Sequence, residues 1–284
     1  MKKVVLLAIM VGFFLSAVAP AATQETYRDI IDKAKNLSLQ KDRLQATKTL
    51  IRAAQKEKGV ARKELIQTLQ ELSEIFYTEK GQQLFELGQS LKYGATPDAI
   101  ERFQDSLALE PSNVQVLKAL ARAHLSQNTC EKLPELVQQL TESNPFEEEH
   151  VLLRLQSAQC LAQKEVAKQI IDGNEIRRSD LKMYVDLLRA QMLAADEKLN
   201  QAEQLLEKLL LVDKKFPETT YWLYQVKRLQ KKEFTELGRA YLNLCKNISQ
   251  PTRNKYRFEP RICNEQKKVE ADFEELKNKT GVGV

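Results

Sequence analysis

The sequence is poor in residues that build tight turns and in histidine. Among 284 residues there are only 9 glycines and 8 prolines, which leaves little material for the many turns of a β-sandwich or barrel. Only 2 histidines occur, His124 and His150, so a histidine-based triad or a two-histidine metal site would need both. A hydrophobic fraction of 43% can build a core, and a charged fraction of 29% can cover it. These proportions favour an all-α fold of one or two domains.

Sequence motifs of known chemistry are also missing. No P-loop, G-x-S-x-G, H-E-x-x-H or G-x-G-x-x-G motif occurs. The acidic run at 147–149 follows Asn144 and Pro145, where we expect a helix to begin, and acidic side chains are favoured there by the helix dipole. His124 falls on a core-facing helical position, where a buried histidine is more common than a metal ligand. We expect no enzyme, no metal and no cofactor, and a wall-degrading enzyme would need a paired acid site that the sequence does not show.

Neither sign of charge dominates the chain. Lys+Arg number 44 against 39 Asp+Glu, a formal net charge of +5. That excess is too small to predict a nucleic-acid or anionic-membrane partner, because such binding requires clustered charge. One local cluster, the basic loop at 251–261, contains Arg253, Lys255, Arg257 and Arg261. The loop is either a solvated connection or a basic surface for phosphate-bearing envelope polymers or an acidic protein.

Long hydrophobic runs are absent after the first 21 residues. Those residues begin with Lys2 and Lys3, continue with an apolar run over 4–15 and end in small residues. This order is typical of a secretory signal peptide, and the run is shorter than the ~20 residues that span a membrane. No cysteine precedes Cys130, so none is available for lipid attachment at the cleavage point. We expect a periplasmic or secreted chain, without a membrane span after cleavage; an uncleaved anchor is the alternative.

A period of 34 residues runs through the body of the chain. The positions that recur are Ala99, Phe103, Ser106 and Pro111, which are followed 34 residues later by Leu133, Val137, Leu140 and Pro145. Apolar residues three and four apart within each repeat predict two short amphipathic helices. Thr96 before Pro97 and Asn144 before Pro145 have the pattern of an N-cap followed by a first-turn proline. The period therefore predicts a series of helical hairpins.

The repeat at 81–113 resembles the tetratricopeptide repeat (TPR) family. That family places a large apolar residue and Leu-Gly in its first helix, then Ala, an aromatic residue and a terminal Pro in the second. The matching residues here are Leu84, Leu87, Gly88, Leu91, Ala99, Phe103 and Pro111. Weaker copies lie at 114–147 and 182–216, and a degenerate one at 27–58. The resemblance implies an all-α, right-handed superhelix of hairpins, an α-solenoid, and the alternative is a generic helical bundle.

The chain divides into four predicted parts. They are a signal peptide at 1–21, N-terminal helices with one degenerate repeat at 22–80, the repeat array at 81–230, and C-terminal helices with the basic loop at 231–284. The stretch 61–78 is amphipathic but does not fit the period, and we expect its helix to continue into the one around Leu84. A charged last helix at 267–279 places Val269, Phe273 and Leu276 on its inner side.

The TPR resemblance also implies a binding surface, because the first helix of each repeat lines the concave groove of such a solenoid. The groove positions fall on Phe85, Gln89, Lys118, Arg122, Leu152 and Gln156. We expect Lys118 and Arg122 to be exposed. The mixture of apolar and polar side chains suits a protein or peptide partner, so we predict a non-catalytic scaffold of the cell envelope that mediates protein–protein interaction. The alternative is an envelope-polymer binding module that uses the basic loop.

Four cysteines in an exported chain predict disulfides, and their number alone leaves three pairings open. None of them has the C-x-x-C spacing of a redox or zinc site. The stacking of neighbouring repeats that the resemblance implies favours Cys130 with Cys160 and Cys245 with Cys263.

Overall fold

The computed structural model describes residues 26–91, 95–246 and 248–280, and all regular secondary structure within those ranges is helical. The helices are α1 (Tyr27–Leu39), α2 (Arg43–Lys56), α3 (Gly59–Glu74), α4 (Glu79–Ser90), α5 (Pro97–Leu109), α6 (Val114–Ser126), α7 (Leu133–Ser143), α8 (Glu148–Cys160), α9 (Lys164–Asp172), α10 (Ser179–Ala195), α11 (Leu199–Val212), α12 (Pro217–Leu229), α13 (Thr235–Lys246), α14 (Gln250–Lys255) and α15 (Gln266–Thr280). A single 3₁₀ turn, Cys130–Lys132, precedes α7. The predicted leader lies outside the described residues.

Each helix packs mainly against its neighbours in the chain, which makes the molecule an α-solenoid of helical hairpins and confirms the predicted fold class. Alternate helices also meet: α6 packs on α8, α8 on α10, and α10 on α12. These four are the first helices of successive hairpins, and the face that they form is termed the inner face. Within the described ranges, no helix is both long and apolar enough to cross a membrane.

The hairpin of α4 and α5 shows why the TPR-like residues matter. Gly88 in α4 faces the ring of Phe103 in α5, and a Cβ atom at Gly88 would lie 2.6 Å from Phe103 Cε1. Only glycine allows the two helices to approach so closely at this point. Thr96 caps α5 by accepting a hydrogen bond from the backbone N–H of Ala99, and Pro97 occupies the first turn, as predicted.

The prediction that Asn144 begins a helix is wrong. Asn144 is the C-cap of α7, since its backbone N–H donates to Leu140 O at 3.0 Å. Its side-chain oxygen accepts from the N–H of Phe146, which closes a local turn in place of an N-cap. α8 starts later, with Glu147 as its N-cap, and the side chain of Glu147 accepts from Glu149 N. Asn before Pro signals a turn as well as a cap, and here the turn forms.

The prediction of a continuous helix from 61 to beyond 78 is also wrong. α3 ends at Glu74, Ile75 has an extended backbone (φ −64°, ψ 134°), and α4 begins at Glu79. The break allows α3 to pack on α2 and α1 while α4 starts a new hairpin with α5.

A buried ion pair holds this break in place. Arg43 and Glu110 are 4% and 0% exposed, and Arg43 Nη2 lies 2.8 Å from Glu110 Oε2. Arg43 also donates to Ile75 O, while Glu110 accepts from the backbone N–H groups of Tyr77 and Thr78. Burial opposes ionisation of Glu110, but the hydrogen bonds from Thr78, Tyr77 and Arg43 outweigh it and lower its pKa. These bonds satisfy the backbone groups that an uninterrupted helix would have paired internally.

The structure contains both predicted disulfides. Cys130 pairs with Cys160 across a Cα–Cα distance of 5.7 Å, and this bond joins the turn before α7 to the end of α8. Cys245 pairs with Cys263 across 5.5 Å, and this bond joins α13 to the turns that precede α15. The first ties neighbouring hairpins, and the second ties the end of the solenoid to the segment described next.

Candidate functional site

Residues 250–265, termed the C-terminal segment, cross the inner face of the solenoid. The segment starts with α14 and continues as a series of turns, in which Glu259 N donates to Tyr256 O and Ile262 N donates to Glu259 O. Tyr256, Phe258 and Ile262 are buried, at 1%, 6% and 3% exposure. The interpretation of this stretch as a solvated loop is therefore wrong.

Two aromatic rings anchor the segment. Tyr256 stacks on Phe216 with a centroid distance of 4.7 Å, and Phe258 meets the ring of Tyr184 edge-on at 5.5 Å. Tyr184 in turn contacts Phe216 edge-on at 5.6 Å, so the four rings form one cluster with α10 and the start of α12. Aromatic pairs of this kind contribute about 0.5–1.5 kcal/mol each beyond their buried area.

Side chains of the inner face satisfy the backbone of the segment. Gln156 Nε2 donates to Phe258 O at 2.8 Å, and Glu218 Oε1 accepts from Cys263 N at 2.7 Å. Asn264 Nδ2 donates to Ser126 O at 3.0 Å. Such bonds are needed, because an irregular segment that is buried cannot leave its polar backbone groups unpaired. Gln156, predicted to bind a partner, thus binds the chain itself.

The other predicted groove positions divide between core and surface. Phe85 and Leu152 are buried, at 7% and 1% exposure, and Phe85 packs between Phe76 and Phe103. Gln89 is exposed. Of these three, only Gln89 presents its side chain to solvent.

The expectation that Lys118 and Arg122 are exposed is wrong. Their side chains are 14% and 28% exposed. Lys118 Nζ lies 2.9 Å from Glu74 Oε1, and Arg122 forms an ion pair with Glu149. Both cations are held by carboxylates of neighbouring helices, which reduces the positive charge that they can offer to a partner.

Two of the four predicted basic-loop residues also have carboxylate partners. Lys255 Nζ lies 2.6 Å from Asp213 Oδ2, and Arg261 Nε lies 3.6 Å from Glu259 Oε1. Arg257 is exposed and makes no ion pair with any residue that the structure describes. The loop is thus less uniformly basic than its sequence suggests.

Three guanidinium groups surround the ring of Phe258. Their central carbons lie 4.7 Å (Arg257), 5.7 Å (Arg122) and 5.9 Å (Arg178) from the ring centroid. Arg178 is neutralised by Asp180 at 2.7 Å, and Arg122 by Glu149. Attraction to the ring face holds such cations in place. Arg257 is therefore an oriented cation at the surface of the site.

An open cleft remains between the C-terminal segment and α4–α6. One cavity of about 240 Å³ is continuous with a second of about 450 Å³, and both are lined by Ala95, Ser126, Arg253 and Ile262. The polar side chains of the first cavity include Gln89, Arg122, Gln250, Arg253, Asn254 and Arg257. Together the two cavities are termed the cleft, and they are the candidate functional site.

A pair of buried carboxyl groups lies at the other end of the segment. Glu218 of α12 and Glu259 of the segment are 4% and 3% exposed, and both line a cavity of about 160 Å³ that also contains Trp222. Burial and the nearby Glu259 raise the pKa of Glu218 to about 8, although Cys263 N and Arg261 oppose the shift. Sequence reasoning missed this pair, because a glutamate after Pro217 at a helix start is ordinary. At such exposure a polysaccharide cannot reach the pair.

Both histidines have structural surroundings. His124 is 6% exposed and its Nδ1 lies 2.7 Å from Thr129 Oγ1. His150 is 2% exposed, its Nδ1 lies 3.0 Å from Asn144 O, and burial lowers its pKa to about 4. In the described part of the chain, no three His, Cys, Asp or Glu residues are grouped so that they could hold a metal ion. The two histidines thus stabilise the turns that end α6 and α7.

No protein-family model matches the sequence, and no curated protein matches it. Among solved structures, the chain is similar to a human IFIT1 dimer with m7Gppp-AAAA, at 15% identity over 89% of this chain and 68% of that chain, with a TM-score of 0.47. It is similar to a monomeric mutant of IFIT1 with Gppp-AAAA at 14% identity, over 88% and 69% of the two chains, with a TM-score of 0.46.

Proposed function

We propose that this chain is a non-catalytic scaffold that binds a polypeptide partner in the cleft. The observation that carries the proposal is that the inner face already binds a polypeptide, its own C-terminal segment. Gln156 and Glu218 pair with backbone groups of that segment, and aromatic side chains supply the anchors. The adjacent cleft has the same kinds of group, namely amides, guanidinium groups and apolar side chains.

The compartment that we propose is the periplasm or the exterior of the cell. The leader-like residues 1–21 support it, and so do the two disulfides, because disulfides persist in oxidising compartments and are rare in the cytosol. Within the cell envelope, a solenoid of this kind would hold partner proteins together.

The alternative of a module for phosphate-bearing polymers has less support. It depends on four basic side chains of 251–261, and the structure pairs Lys255 with Asp213 and Arg261 with Glu259. Phosphate-driven binding needs several uncompensated cations close together.

Site-specific photo-crosslinking tests the proposal. A photoreactive amino acid replaces Gln89, which is exposed in the cleft, and in a matched variant it replaces Gln104, which is exposed on α5. We expect protein adducts in vivo at position 89 and not at position 104, with the contacting peptide identified by mass spectrometry. Identical adducts from both positions would contradict a cleft-specific partner, and glycan-linked adducts would favour the polymer-binding alternative.

A further inference from the structure

We propose that the cleft selects acidic polypeptide segments, whose carboxylates bind Arg257 and the neighbouring guanidinium groups. This inference rests on the proposed function, since it names the chemistry of the partner that occupies the same cleft.

The charges that line the cleft are mainly positive. Three arginines, Arg122, Arg253 and Arg257, line its first cavity. The only acidic residue among the residues lining that cavity is Glu259, which is 3% exposed and lies 3.6 Å from the guanidinium of Arg261. An incoming chain therefore meets cations rather than carboxylates, and like charge would disfavour a basic segment.

Arg257 is oriented before any ligand arrives. Its guanidinium lies 4.7 Å from the ring centroid of Phe258, and that ring is fixed by Tyr184. The backbone at Phe258 is fixed as well, by the hydrogen bond from Gln156. A planar guanidinium that is already oriented loses little conformational freedom when it binds a carboxylate through two parallel hydrogen bonds.

The polar groups beside these cations favour a peptide over a phosphate polymer. Gln89 offers both a donor and an acceptor, so it can pair with the C=O and the N–H groups of a peptide backbone. An amide side chain already plays this part on the inner face, where Gln156 binds the backbone of Phe258. A phosphate polymer has no backbone N–H group for such an acceptor. The cleft therefore combines charge selection with recognition of a backbone.

A selection experiment on the folded full-length chain tests the proposal. A phage-displayed library of random peptides is panned on the disulfide-bonded protein, and selected peptides are synthesised for affinity measurement. We expect enrichment of Asp and Glu, and binding that weakens as salt screens the charges. Arg257→Glu should weaken the selected peptides by about tenfold, because the attraction becomes a repulsion. Arg52→Glu, an equal change at an exposed position of α2, should leave their affinity unchanged.

The outcomes separate this inference from the proposed function. Selected peptides that lack acidic enrichment, or that bind Arg257→Glu as well as the unmodified protein, would overturn the charge selectivity; if they still cross-link at position 89, the polypeptide-binding proposal stands. A library that yields no peptide contacting the cleft would count against both. Polyphosphate serves as the last probe: if it binds with loss in Arg257→Glu while acidic peptides do not bind, the cleft is a phosphate site and the inference is wrong.

Discussion

Two buried glutamates hold opposite ends of the solenoid, and their pKa values shift in opposite directions. Glu110, at 0% exposure, accepts hydrogen bonds from Thr78, Tyr77 and Arg43, and its pKa is lowered. Glu218, at 4% exposure, accepts one from Cys263 N, faces other carboxyl groups, and its pKa is raised to about 8. Burial is similar at both sites. The number of donors and the sign of the neighbouring charges therefore decide which form is buried.

The two sites consequently respond to opposite changes of pH. A lowered pKa gives Glu110 a stabilising effect that is present above its unfolded value of 4.5 and is lost as the pH falls. A raised pKa means that the folded state binds more protons than the unfolded state does between about 4.5 and 8, so stability falls as the pH rises across that window. Acid weakens the N-terminal site, and alkali weakens the C-terminal one.

Removal of the cation at the N-terminal site should produce the largest loss of stability. Arg43→Met leaves the Glu110 carboxylate buried without its partner, and we expect a loss of about 3–5 kcal/mol in the free energy of unfolding. Urea unfolding followed by far-UV circular dichroism measures it. Arg52→Met, at an exposed position of the same helix, should change stability by less than about 0.5 kcal/mol. A loss of similar size in both variants would show that the ion pair contributes little.

Opening the C-terminal disulfide should have the next largest effect. In Cys245→Ser/Cys263→Ser the closed loop, with its sequence separation of 18, is lost, which costs about 3 kcal/mol on the chain-entropy model. Trp222, the single tryptophan, lines the cavity next to Glu259, so its fluorescence should report release of the C-terminal segment at a lower urea concentration than circular dichroism reports unfolding.

The other disulfide provides the matched control for that double variant. Cys130→Ser/Cys160→Ser opens a loop of sequence separation 30 and should lose a similar amount of stability, with the Trp222 and circular-dichroism transitions coinciding. If the two transitions also coincide in the Cys245/Cys263 variant, the segment does not release independently.

Two glycines compare the packing of the same two regions. An alanine Cβ at Gly88 would lie 2.6 Å from Phe103, which is 1% exposed, and one at Gly238 would lie 2.5 Å from Phe273, which is only half-buried. We expect Gly88→Ala to cost about 1–3 kcal/mol and Gly238→Ala to cost less, because Phe273 has room to move. Thermal unfolding of both variants tests the order, and the reverse order would show that α15 is packed as rigidly as α5.

The smallest effect at neutral pH is expected for Glu218→Gln. The carboxyl of Glu218 is largely protonated there, and glutamine mimics that form. Melting temperatures measured from acid to alkaline pH should fall less steeply in this variant than in the unmodified protein across the window from about 4.5 to 8. Glu165→Gln, at an exposed position of α9, should follow the unmodified profile. Parallel profiles for all three proteins would mean that Glu218 is ionised in the folded state.

Local signals predicted the hairpins well where one reading was available. Gly88, Phe103, Thr96 and Pro97 have the places in α4 and α5 that their spacing indicated. Asn144 was misassigned because asparagine before proline suits both an N-cap and a turn, and the choice depended on how far α7 extended.

The sequence by itself determined the α-solenoid and both disulfide pairs, because these depend on helical periodicity and on contacts between neighbouring hairpins. Only the tertiary structure decided the site. The ion pair of Arg43 and Glu110 joins residues 67 apart, and the bond from Gln156 to Phe258 O joins residues 102 apart. Periodicity reports which side of a helix is buried but not which distant segment buries it, so the filling of the inner face and the cleft beside it arise only when the solenoid brings its end back onto its own first helices.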